Sequence, residues 1–201
     1  MTHSVDYYFS PQSPWTHLGH PRFAAMAKAA NAGVRVLPID LGGKVFPVSG
    51  GLPLNQRAPQ RQAYRLVELK RFSEQLGLPL NLKPKFFPVA GDDAAQLIIA
   101  VDLADGSDAA MALGAAVFRS VWVDELNIAD ADVAASLLAA LGLPARRLDE
   151  SRSSAVQQRY LANTQQAIDA GVFGAPSYVI DGEIFWGQDR LDFVERRLAQ
   201  P

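Results

Sequence analysis

Ser13 and Thr16 stand three residues apart in "YYFSPQSPWTHLG", residues 7–19, where an aromatic run gives way to a helical pattern. Ser13 fits a helix N-cap, and Pro14 fits the first helical position, where its missing N–H costs nothing. On one reading this is a helix start and nothing more. On the other, the same geometry does chemistry. A helix N-terminus carries unpaired N–H groups and about half a positive charge, so it favours an anion to which a nearby hydroxyl can also donate. Two further stretches have the same double character. In "GVFGAPSYVID", Ala175-Pro176 precedes a strand; by itself it reads as an ordinary loop proline, and only a fold that sets it opposite the start of the first helix makes it a cis bond that turns the Ala175 backbone outward, free to pair with an extended peptide. In "FWGQDR", Asp189 and Arg190 open the last helix. Asp189 is either an N-cap beside a solvated Arg190, or a carboxylate that grips an amine while Arg190 and the helix N–H groups grip a carboxylate.

Other chemistries find little support. The chain has no cysteine, which removes disulfides, thiolate metal sites and any nucleophilic sulfur of its own. His17 and His20 share a helix face, but no carboxylate spacing completes a metal site. Ser13 and His17 lie one turn apart without a nucleophile-elbow signature. "GGKVFPVSGG" lacks the Gly-Lys-Ser/Thr ending of a phosphate loop. With 19 basic and 21 acidic residues spread along the chain, there is no electrostatic reason to expect nucleic acid or an anionic membrane. The start "MTHSVDYYF" lacks a signal-peptide pattern, and the apolar run "AAQLIIAVDLA" is cut by Asp102, far short of the ~20 residues a membrane helix needs. A cytoplasmic protein is expected.

The elements that must position these residues are legible in outline. At 201 residues the chain holds one or two domains of roughly 100–200 residues. Val5–Phe9 reads as a buried strand, Pro14 to about Ala30 as a helix stopped by Asn31 and Gly33, and residues 34–40 as a second strand. Strand, helix, strand implies parallel strands and a right-handed crossover. Pro21 predicts a bend in the helix. Residues 42–60 read as a long loop. Helical segments follow at Gln62–Leu76, Ala94–Ala104, Ala109–Glu125, Asp132–Leu141 and Ser154–Ala170. "SYVIDGEIFWG", 177–187, is a hairpin turning at Asp181-Gly182, and a helix with Asp189 as its cap closes the chain. The ends thus form a four-stranded α/β unit of mixed strand direction, a thioredoxin-like fold with an all-helical insertion. Residues 1–45 and 165–201 are expected to form the thioredoxin-like domain and 46–164 the insertion.

Nearly the whole chain resembles the 2-hydroxychromene-2-carboxylate isomerase family, which belongs with kappa-class glutathione transferases and DsbA-like proteins. The resemblance rests on "DYYFSPQSPWTHLG", "LNQRAPQRQAYRLVELKRF", "PKFFPV" and, most specifically, "GVFGAPSYVIDGEIFWGQDRLDFVERRL". In DsbA-like relatives residues 13–16 would read Cys-x-x-Cys; here both sulfur positions carry oxygen, so the reactive sulfur must come from outside, as glutathione.

The resemblance implies that Ser13 hydrogen-bonds the glutathione thiol and favours its thiolate. It implies that Ala175, before Pro176, pairs with the cysteinyl part. Asp189, with Gly187, Gln188 and Arg190, would hold the γ-glutamyl end. Asn55, Lys44, Phe46 and Phe87 would line the side of a small aromatic substrate, and Arg61 would hold either the glycyl carboxylate or an acidic substrate. The implied activity is isomerisation by reversible thiolate addition, linking 2-hydroxychromene-2-carboxylate to trans-o-hydroxybenzylidenepyruvate in aromatic catabolism, in a homodimer. A kappa-class-like glutathione transferase or peroxidase, and a non-catalytic thioredoxin-like binding module, are the alternatives. Pro21 and the loop "PVAGDD" depart from the family pattern.

Overall fold

The computed structural model describes residues 3–200; Met1, Thr2 and Pro201, at the outer ends of the expected thioredoxin-like segments, lie outside them. Four strands, β1 (Ser4–Phe9), β2 (Gly33–Pro38), β3 (Ser177–Ile180) and β4 (Glu183–Trp186), form one sheet in the order β2-β1-β3-β4. β1 and β2 are parallel, with Tyr7 opposite Val36, and β3 runs antiparallel to both β1 and β4. The hairpin turns where Asp181 (φ 50°) and Gly182 (φ 82°) both take positive φ, the conformation that an Asp-Gly pair supplies at little cost.

Nine helices accompany the sheet among the described residues: α1 (Pro14–Ala29), α2 (Phe46–Ser49), α3 (Pro59–Leu76), α4 (Asp92–Asp105), α5 (Ser107–Trp122), α6 (Ala131–Ala140), α7 (Arg147–Ser151), α8 (Ser154–Asp169) and α9 (Leu191–Leu198). α1 continues through Pro21 as one α-helix. It ends where Asn31 adopts a left-handed φ of 51°.

Alternation along β1 divides the core. Val5, Tyr7 and Phe9 face one side with Phe23 of α1, Ile98 of α4, Phe118 and Trp122 of α5 and Val194 of α9; Tyr8 faces the other with Leu37, Val179 and Ala167 of α8. The first of these clusters is continuous from the sheet into the helical segment. Tyr7 lies at its centre, stacked on Tyr178 with ring centroids 5.4 Å apart. Arg147, 5% exposed, fastens α7 to α4 through Nε and Nη2 hydrogen bonds of 2.7 and 2.8 Å to the Asp105 carboxylate; it also pairs with Glu150.

Two sequence expectations are corrected, and one helix is added. Residues 42–60 are not an open loop: a π-turn at Leu41–Val45, α2 and a 3₁₀ turn at Leu54–Gln56 organise them. The π-turn is capped by Asp40, whose Oδ1 accepts from the Gly43 N–H at 2.7 Å. The short helix α7 was missed because its five residues are too few to show a period. Asp189 is not an N-cap. Gly187 (φ 97°) launches a 3₁₀ turn, Gln188–Arg190, that precedes α9, and the Asp189 carboxylate pairs with Arg190 instead of a helix N–H.

Candidate active site

Ser13 is the N-cap of α1, with extended backbone (φ −77°, ψ 123°) and Pro14 in the first helical turn. Its Oγ accepts from the Thr16 N–H at 3.2 Å and donates to the Ala175 carbonyl at 3.4 Å. The second bond is long for a hydroxyl donor, whose usual reach is about 2.7–2.8 Å, so the Ser13 proton is loosely held. Thr16 is fully buried, and its Oγ1 has no partner. Of the two hydroxyls in this turn, Ser13 is therefore the one at the helix end.

The Ala175-Pro176 peptide is cis. The loop it belongs to is held on both sides: Ser177 Oγ donates to the Gly174 carbonyl at 2.8 Å, and the Gly187 N–H donates to the Pro176 carbonyl at 2.9 Å. Three segments distant in sequence, the start of α1, the 174–176 loop and the 187–190 turn, are thus linked by hydrogen bonds around one place. At its margin Asp189 and Arg190 are exposed, whereas Gln188 is buried and its side-chain amide has no partner. Trp186, 50% exposed, packs on Phe173 with centroids 4.8 Å apart and lies over Gly174. This aromatic pair beside Ala175 is a feature the sequence reading did not single out.

On the other flank, Gln12 Oε1 accepts from the Val89 N–H at 3.3 Å, which ties the residue before Ser13 to the loop carrying Phe87. That loop contains a second cis bond, Phe87-Pro88. Phe87 packs on Trp122 of α5 at 4.7 Å. Phe46 lies beneath Arg57, whose guanidinium carbon is 6.0 Å from the ring centroid. Asn55, in the 3₁₀ turn before α3, and Arg61, in the first turn of α3, are exposed. Lys44 is set apart from this group: it borders a shallow groove along α8 with Leu161, Gln165 and Ile168.

The histidines do structural work. His20 Nε2 donates to the Met111 carbonyl at 3.0 Å, which leaves Nδ1 to accept from the Tyr7 hydroxyl at 3.1 Å. Burial pushes the His20 pKa down to about 4 and lowers that of His17. His17 Nε2 bonds to the Pro79 carbonyl at 3.0 Å, so Ser13 is not paired with a base in a Ser-His arrangement. No group of His, Asp and Glu among the described residues has the geometry of a metal site, and no helix among them is long and apolar enough to cross a membrane.

Residues 4–199 match the model of the DSBA-like thioredoxin domain family. The 2-hydroxychromene-2-carboxylate isomerase of Sphingobium xenophagum is 30% identical over 98% of this chain and 99% of its own. A solved 2-hydroxychromene-2-carboxylate isomerase superposes with a TM-score of 0.80 at 27% identity, covering 97% of this chain and 94% of that one. The cytosolic disulfide reductase DsbM of Pseudomonas aeruginosa, solved with GSH, shares the fold with a TM-score of 0.70 at 18% identity, over 98% of this chain and 100% of that one.

Proposed function

From the premise that this chain belongs to the DSBA-like thioredoxin domain family, alongside 2-hydroxychromene-2-carboxylate isomerases, we propose that it is a glutathione-dependent isomerase of that type. It interconverts 2-hydroxychromene-2-carboxylate and trans-o-hydroxybenzylidenepyruvate. Dithiol redox chemistry is closed to it, because no cysteine exists in the sequence. The observation that carries the proposal is the loosely bound Ser13 hydroxyl at the N-terminus of α1, facing the Ala175 carbonyl.

The residues present fit glutathione. Ser13 Oγ keeps its bond from the Thr16 N–H and turns its proton from Ala175 towards an incoming sulfur. The α1 dipole favours negative charge at the same point. The Ala175 backbone offers an edge for an extended tripeptide. Exposed Asp189 and Arg190, paired with each other here, would exchange that pairing for the ammonium and carboxylate of the γ-glutamyl end; Gly187 and Gln188 fix the turn that presents both. Glutathione, when bound, would supply the sulfur nucleophile for reversible addition to the substrate double bond, the chemistry that lets the two isomers interconvert with the thiol regenerated. Phe46 and Phe87 offer apolar faces to an aromatic substrate, with Asn55 and Arg61 as exposed polar groups just before α3 and in its first turn; Lys44, on the α8 side, serves only a substrate that reaches that groove.

The test is a turnover assay with chromene substrate in large excess over glutathione. The proposal predicts conversion of many equivalents of substrate per glutathione, with the free-thiol titre unchanged. Stoichiometric loss of thiol would make the protein a transferase. No conversion at any glutathione concentration would leave a non-catalytic module.

A further inference from the structure

Arg65 carries a buried charge for which the protein supplies no counter-charge. It projects from α3 and is 8% exposed. Its guanidinium carbon lies 5.2 Å from the centroid of Phe87 and 5.7 Å from that of Trp122. None of the ion pairs or side-chain hydrogen bonds among the described residues includes it. Arg147 shows what the same fold does with a structural arginine of equal burial: three acceptor oxygens, on Asp105 and Glu150, surround it.

A buried cation without a partner is costly, and here a second cation adds to the cost. Burial, and then the field of Arg57, lower the Arg65 pKa to about 10. Arg57 is itself depressed, by burial and by Arg61. Three arginines therefore share a region in which none of them has an ion-pair partner, and the most buried of them, Arg65, sets its guanidinium carbon over two aromatic rings. Stacking occupies the face of a guanidinium and leaves its N–H edge free, the edge that takes a carboxylate through two parallel bonds. The position is also continuous with the Ser13 end of α1. Arg65 rests on Phe87, and two residues further on the Val89 N–H is bonded to Gln12.

We propose that Arg65, stacked on Phe87 and Trp122 beside Arg57, is the anchor for the carboxylate of an aromatic 2-oxo acid substrate, and so fixes which end of the substrate faces Ser13. The inference deepens the isomerase reading and rests on it for the identity of the substrate. The carboxylate site itself is testable without turnover.

The probes are trans-cinnamate and its neutral amide, cinnamide, titrated calorimetrically into the intact protein with and without glutathione. Wild type is expected to bind cinnamate at least about tenfold more tightly than cinnamide, the discrimination of a charge-assisted hydrogen-bonded pair. Arg65→Gln is expected to abolish the preference. Arg65→Lys keeps the charge but not the planar fork, and is expected to retain only part of it. In turnover, Arg65→Gln should raise KM for the chromene at least about tenfold with a smaller change in kcat. Circular dichroism checks that each variant is folded; if Arg65→Gln is not, Arg65→Lys carries the test. No preference in wild type, or an unchanged preference in a folded variant at position 65, overturns the inference. Arg65-dependent cinnamate binding in a protein that does not isomerise the chromene would sink the isomerase reading alone. Isomerisation with unaltered kinetics in Arg65→Gln would sink the anchor alone.

Discussion

Ser13 and Ala175 are 162 residues apart in sequence and joined by one hydrogen bond of 3.4 Å, from the serine hydroxyl to the alanine carbonyl. The bond crosses from the N-terminus of α1 to the loop before β3. Its length makes the hydroxyl proton easy to redirect, whereas the shorter bond that Ser13 Oγ accepts from the Thr16 N–H holds the side chain in place.

Ser13→Ala removes both functions. Loss of the cap should cost about 1 kcal/mol of stability, seen as a fall in Tm of roughly 2–4 °C for a chain of this size. Loss of the donor to sulfur should lower kcat about a hundredfold, with glutathione affinity largely kept. Steady-state kinetics and thermal unfolding on one preparation separate the two. Unchanged kcat with a lowered Tm would reduce Ser13 to a helix cap.

Gly187→Ala strikes the other end of the site. Gly187 has φ 97°, and a Cβ there would lie 2.5 Å from Asp189 Oδ1. The left-handed backbone costs a non-glycine residue about 1–3 kcal/mol, and relief requires Asp189 to move. Glutathione affinity should fall about tenfold or more, as expected when a charge-assisted bond of the size given for ionised partners is lost, while kcat at saturation changes little. Calorimetric titration reads this directly.

Gly19→Ala tests the packing beneath the site. A Cβ at Gly19 would meet the Gln188 Cβ at 2.8 Å and the Tyr178 hydroxyl at 3.0 Å. Both belong to firm parts of the fold, so α1 must shift. The expected loss is about 1–3 kcal/mol in urea unfolding, with weakened glutathione binding because Ser13 moves with its helix. A variant of wild-type stability and affinity would mean that this seam is slack.

His20 predicts a pH dependence of stability. Unfolded, the imidazole binds its proton near 6.5; folded, burial holds that value down to about 4. Between those pH values the unfolded state binds more protons. The His20 contribution is therefore fully present above about pH 6.5 and is lost as pH falls towards 4. The full drop corresponds to on the order of 3 kcal/mol. His17, also lowered by burial, adds in the same direction. Urea unfolding at a series of pH values should show this slope, and His20→Gln should flatten it.

The sheet was legible because its signals are local. Apolar runs mark β1 and β2, and Asp181-Gly182 marks the hairpin, since few other pairs accept two positive φ angles. Ser13-Pro14 marked the start of α1 for the same reason. Asp189 was misplaced because an acidic residue before a helical pattern looks like a cap whether or not a 3₁₀ turn intervenes, and that turn depends on Gly187. Arg65 was invisible for a different reason. It lies four residues from Leu69 in an ordinary helical stripe, and what distinguishes it is the want of a carboxylate among neighbours drawn from α5 and the 84–90 loop. No local pattern encodes an absent partner.

The central claim is that Ser13 and the α1 N-terminus stabilise a thiolate that the protein itself does not own. Ultraviolet absorbance of the thiolate, followed against pH with glutathione bound to wild type and to Ser13→Ala, measures it most directly. The bound thiol should titrate well below the value of about 8.5 typical of a free cysteine thiol in wild type, and move back up in the variant. A bound thiol that titrates as it does in free solution, or identically in both proteins, would contradict the account.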